Sequence, residues 1–105
     1  MNAEPGPDSG CQCRLLVIGP SKTLQSFDRR EVWPTEFTEV EPLELAPTRR
    51  SWQFTTTTPP LPYLRTLATR WPLLTFLLDY DTGRVKGLAS RQAGKLEHFR
   101  IVYLS

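Results

Sequence analysis

The chain is poor in the residues that most often carry chemistry. It has one histidine, His98, and two cysteines in 105 residues, too few for a structural zinc site, which takes about four Cys or His ligands. Cys11 and Cys13 stand one residue apart, a spacing that does not readily reach disulfide geometry, and both read as reduced core thiols of a cytoplasmic protein. Long hydrophobic runs are missing too. The longest, Leu73 to Leu78, contains Thr75 and falls far short of the roughly 18 apolar residues a membrane span needs. The start, MNAEPGPDSG, has neither the basic n-region nor the apolar h-region of a secretory signal. These absences point to a soluble cytoplasmic protein with no metal, no other cofactor and no membrane partner.

What is present is ordinary globular material. Hydrophobic residues make up 39% and charged residues 23%, too apolar for a disordered chain, and the length suits one core. Residues 1–10, with two Pro, two Gly and no periodicity, read as a mobile tail, and residues 11–105 as a single domain. The net charge of +2 conceals a split. Up to Thr48, four basic residues face eight acidic ones; from Arg49 on, nine basic face three acidic. The simplest reading is two halves whose fields offset each other on packing, and the other is a basic face for an anionic partner.

Patterning gives the elements. Cys13 to Ile18 is a buried strand ended by Gly19-Pro20, and Ser21 is placed to cap a short helix with Leu24 and Phe27 on one face. Trp33-Pro34 breaks it. Phe37 to Leu45, interrupted at Pro42, is an edge strand or covering loop. Residues 50–57 alternate as a strand with Trp52, Phe54 and Thr56 on one face. After Pro59-Pro60, the spacing of Leu61, Leu64, Leu67, Ala68 and Trp71 predicts a helix that Pro72 stops. Leu73 to Tyr80 is the strongest strand. Asp81-Thr82-Gly83 turns it into Arg84 to Arg91, and Ala93-Gly94 turns again into Leu96 to Leu104, a meander in which Phe99, Ile101 and Tyr103 look like core. The order predicts an α+β fold, an antiparallel sheet with two helices on one face. Its core should hold Leu15, Val17, Trp52, Phe54, Leu64, Leu67, Trp71, Leu74, Phe76 and Leu78.

Motifs for chemistry fail one by one. Gly19-Pro-Ser-Lys22-Thr23 sits where a phosphate-binding loop would, yet Leu15 and Ser21 occupy the positions that need glycine. Asp81-Thr82-Gly83 resembles an aspartic-protease triplet, but the chain after it is too short for the flap and closing strands, so it reads as a turn. Asp79 and Asp81 share a strand face at a hairpin end and read as solvated. A Cys–His nucleophile would require Cys11 or Cys13 to meet His98, which is possible only if first and last strands are neighbours. No catalytic residue and no metal ligand is therefore assigned. The remaining candidates are basic: Arg84, Lys86, Arg91, Lys95 and Arg100 on the meander, a set that suits weak single-stranded nucleic-acid binding, with Arg91 out of step with Arg84 and Lys86.

Several residues together carry a likeness. Cys11-x-x-x-Leu15-x-Val17-x-Gly19-Pro20, Pro42-Leu43, Trp52 with Phe54-Thr55 leading to Pro59-Pro60-x-Pro62, Trp71-Pro72, and Tyr80-Asp81-x-Gly83 followed by Gly87 resemble the YubB-type ferredoxin-like domain over residues 11–90. The resemblance implies a ferredoxin-like sheet, here with an added C-terminal hairpin, in a protein of bacterial plasmids or phages, and it brings no established activity. The expectation is a non-enzymatic binding or accessory module that engages a protein partner. Nucleic-acid binding through the basic meander is the alternative, and a small enzyme using Cys11, Cys13, His98, Asp79 or Asp81 comes third.

Overall fold

The computed structural model describes residues 10–92 and 95–102. The expected tail over residues 1–9, the Ala93-Gly94 turn, Tyr103 and Leu104 lie outside them, as do the side chains of Leu96, Ile101 and Val102. The elements run β1 (Cys11–Ile18), α1 (Ser21–Arg30), β2 (Thr38–Ala46), β3 (Arg49–Thr56), α2 (Leu61–Arg70), β4 (Thr75–Asp81), β5 (Val85–Gln92) and β6 (Lys95–Val102). None of the described helices is long and apolar enough to cross a membrane.

β1 lies inside the sheet because alternate residues Cys11, Cys13, Leu15 and Val17 are buried beneath the helices. It pairs antiparallel with β3 on one side and β4 on the other, which sets Leu15 between Trp52 and Leu78 and Val17 between Arg50 and Phe76. Pro20, not Ser21, precedes α1; it carries no side-chain acceptor, and Ser21 is the first helical residue. Leu24 and Phe27 face inward, and the helix ends at Glu31, whose N–H donates to the Phe27 carbonyl. α2 opens on prolines, which need no intrahelical donor there, and buries Leu64, Leu67 and Ala68.

The sheet corrects the expected ferredoxin-like architecture. It is one antiparallel sheet of six strands in the order β2-β3-β1-β4-β5-β6, not a smaller two-helix-covered sheet with a hairpin added at its side. β4 pairs with β5 along its whole length, from Thr75 opposite Gln92 to Asp81 opposite Lys86. β5 pairs with β6 just as completely, from Val85 opposite Val102 to Gln92 opposite Lys95. The physical reason is continuity of register: an unbroken ladder makes β4 an interior strand and moves the edge to β6.

All ten residues expected in the core are buried. Phe27 stands at their centre, with the rings of Trp33, Trp52, Trp71 and Phe76 at centroid distances of 6.4, 6.0, 5.6 and 6.0 Å. Each such pair contributes roughly 0.5–1.5 kcal/mol beyond burial. Arg50 ties this layer to α1: its side chain, 10% exposed, meets Asp28 at 3.0 Å and donates to the Ala46 carbonyl. Phe99 is a second correction. It is 65% exposed, because its alternation places it opposite Leu88, itself 47% exposed, on the sheet face away from the helices. Replacing Phe76 by Ala is expected to cost about 3–5 kcal/mol, read as a lower denaturant midpoint. Phe99→Ala should move the midpoint by less than about 0.5 kcal/mol, the range of surface substitutions.

Candidate functional site

The hairpin between β4 and β5 is built by its turn. Gly83 adopts φ 89°, a conformation only glycine takes without strain. Its N–H donates to Asp81 Oδ1 at 2.8 Å, and Thr82 Oγ1 accepts from the N–H groups of Arg84 and Val85 at 3.2 and 2.9 Å. Asp81-Thr82-Gly83 is a turn, as its place in the chain predicted. Two pairs further on, Tyr80 lies opposite Gly87, and a Cβ on Gly87 would collide with the Tyr80 ring and hydroxyl. That gap lets the ring cross β5. Its hydroxyl then meets Nε2 of His98 on β6 at 2.7 Å. Burial pushes the Tyr80 phenol up.

The five basic residues do not form one patch. Arg84 is exposed in the turn. Lys86 and Lys95 lie on the helix-free face, while Arg91 and Arg100, of the other parity, lie on the helix side. Arg91 is half-buried, and its Nε has no hydrogen-bond partner among the described residues. The five are nonetheless gathered at one end of the sheet, whereas each described ion pair joins an acid of the first half to a base of the second, Glu44 to Arg49, Asp28 to Arg50 and Glu31 to Arg70, so that packing offsets the halves in part. The acids Glu39, Glu41 and Glu44 belong to β2, at the opposite edge.

The helix-free face carries a groove of about 610 Å³ lined by Glu39, Glu41, Asp79 and Asp81 together with Arg14 and Lys86. Asp79 and Asp81 share it, half-buried rather than fully solvated. Register sets Asp79 beside Arg14 on β1 and Asp81 beside Lys86 on β5.

Cys11 and Cys13 point the other way, into the core. The Cys13 thiol donates to the Cys11 sulfur at 3.7 Å, holding Cys11 below the ordinary thiol range, while the same hydrogen bond and burial push Cys13 far up. β1 and β6 are not neighbours: β4 and β5 stand between them, about 14 Å across three strand spacings. His98 is thus separated from both thiols. Among the described residues no group of three or more His, Cys, Asp or Glu could hold a metal ion.

One ionic centre had no sequence signal. The Glu31 side chain, 3% exposed, accepts from Arg70 Nη1 at 2.8 and 2.7 Å through its two oxygens, from Trp71 Nε1 at 2.6 Å and from the Tyr63 hydroxyl at 3.3 Å. It joins the end of α1 to both ends of α2. Burial, then the neighbouring Glu31 charge, pushes the Tyr63 phenol well above its ordinary value of 10.0. With every contact taken up inside the fold, this is a structural clamp.

No protein-family model, no curated protein and no solved structure matches the chain. The functional reading therefore rests on the surface of the sheet, where β6 is a terminal strand among the described residues.

Two outcomes follow from the clamp. Glu31→Gln should destabilise by about 1–3 kcal/mol, since Arg70 is half-exposed and keeps its hydration while Trp71 and Tyr63 lose a charged acceptor. Tyr63, harder to ionise folded than unfolded, contributes stability that is complete below the unfolded value near 10 and is lost as pH rises past it. Denaturation midpoints measured from pH 8 to 11 should fall at the alkaline end, less steeply for Tyr63→Phe.

Proposed function

We propose that this protein is a non-enzymatic binding module that engages a protein partner through the β5–β6 end of its sheet. The observation that carries this reading is the difference between the two edges. β2 is closed to a further strand: Pro42 lacks an N–H, the register with β3 shifts at two places, and Glu39 bends the backbone at φ 54°. β6 has eight residues, no proline and an unbroken register with β5, and it presents its outer backbone groups at the end of the sheet. Exposed Leu88 and Phe99 lie side by side next to that edge. An open edge with adjoining apolar side chains is the arrangement used for strand addition.

Nucleic-acid binding is supported less. The cations divide between two faces, and the helix-free face that would stack bases also carries Asp79, Asp81, Glu39 and Glu41, which repel phosphate. An enzyme is supported less again, because Cys11 and Cys13 are buried apart from His98 and the aspartates lie among cations.

The test is selection of peptides from a random displayed library, with binding sites mapped by amide chemical shifts. Shifts concentrated in β5 and β6, and affinity reduced at least about tenfold by Phe99→Asp, are expected. Submicromolar binding of a labelled single-stranded RNA at physiological salt, with log K falling against log salt at a slope near −3 as about four phosphate contacts require, would replace this reading.

A further inference from the structure

The charge of the open edge identifies the chemistry of what it takes. β5 and β6 carry Lys86, Arg91, Lys95 and Arg100 against a single acid, Glu97. On β6 itself, Lys95 and Glu97 alternate with His98 and Arg100, so the helix-free face reads Lys95, Glu97, Phe99 and the helix side reads His98, Arg100. Resting on the reading above, we infer that β6 accepts an acidic, extended segment of a partner protein as a seventh strand.

The register rules of a sheet turn this into a sequence pattern. Residues directly opposite each other in an antiparallel pair share a face, with Cβ atoms about 5 Å apart, close enough for opposite charges to attract and like charges to repel. A strand running antiparallel to β6 meets Arg100 first, then Phe99, His98, Glu97, Leu96 and Lys95. The complementary segment has an acid opposite Arg100, an apolar residue opposite Phe99, an uncharged polar residue opposite Glu97 and an acid opposite Lys95. Read in its own direction that is acid, apolar, any, polar, any, acid. The apolar residue extends the row Leu88–Phe99 across the new strand, covering two side chains that are 47% and 65% exposed.

A second copy is a poorer occupant by the same criterion. Two β6 edges brought together antiparallel, with Phe99 opposite Phe99, set His98 opposite Arg100 twice and give neither Lys95 nor Arg100 an acid. Of the two acidic strands, β4 is interior, and β2 is the edge that Pro42 and its register shifts close.

The experiment uses fluorescent peptides of about ten residues, the length β6 can pair: Glu-Val-Ser-Thr-Ser-Glu flanked by Ser and Thr, the same peptide with Lys for Glu, and the same with Gln for Glu. Anisotropy gives affinity, and hydrogen exchange locates the site. The acidic peptide should bind about tenfold more tightly than the Gln peptide, slow exchange in β6, and lose binding when one alternate set of its amides is N-methylated but not the other. The double variant Lys95→Glu, Arg100→Glu, checked by its melting temperature, should prefer the Lys peptide. That reversal is one that a merely misfolded variant does not produce. Equal binding of all three peptides at β6 would overturn the charge inference and leave the protein-binding reading standing. Absence of β6 protection with every peptide would remove both. Concentration-dependent self-association that protects β2 and β6 together would overturn the inference in favour of a second copy. Displacement of the acidic peptide by oligo(dT) would overturn it in favour of a nucleic acid.

Discussion

Two helices are too few to cover six strands, and the rest of the molecule follows from that mismatch. The outermost strands of such a sheet lie about 24 Å apart, whereas two helices packed side by side span about 20 Å. α1 sits over the Trp52 and Phe76 side chains, and α2 reaches β4 and β5. β6 is left at the end of the sheet. Its contact with the interior is of another kind: the Tyr80 ring passes over Gly87 and its hydroxyl holds His98. A glycine at that one position thus substitutes for the missing third helix by letting a core residue extend sideways. Leu88 and Phe99 lie on the opposite face, which neither helix covers.

The covered part of the fold was legible because burial there is one-sided and regular. Cys11, Cys13, Leu15 and Val17 alternate with Gln12 and Arg14, and Leu74, Phe76, Leu78 and Tyr80 repeat the pattern. Seven of the ten expected core residues follow from that parity, and Leu64, Leu67 and Trp71 from the spacing of a helix. The meander was harder, since its alternation holds apolar residues on both faces. Phe99 shares the parity of Leu88, and nothing local says whether that parity meets helices or water; only the register with β4, whose inward residues are fixed by the core, decides it. The size of the sheet went unread for the same reason. A hairpin added to a sheet and a continuation of that sheet have the same sequence signature.

Glu31 was illegible in a different way. It is an acid at the end of a short helix, a position where most acids are solvated, and its partners Tyr63, Arg70 and Trp71 lie more than thirty positions along the chain. A buried carboxylate is costly unless its oxygens are filled. Here the filling groups converge only after both helices have docked, so the clamp reports the fold and does not announce it. Ser21 shows the converse error. A residue type that caps helices stood at the right place, yet Pro20 took the cap position and left Ser21 inside the first turn.

Charge is uneven between the two edges of the sheet, and this bears on how they differ. The acids of β2 coincide with a proline, two register shifts and a residue in left-handed conformation, all of which prevent pairing. The cations of β5 and β6 coincide with a straight, fully registered strand. A lysine on an edge strand ordinarily deters pairing because a second copy brings a second lysine. That deterrent is selective: it acts against copies of the same chain and against basic or apolar strands, and it turns into attraction for an acidic one. On the reading proposed above, β2 is closed by backbone geometry, which acts on every strand alike, whereas β6 is left to charge, which favours an acidic one.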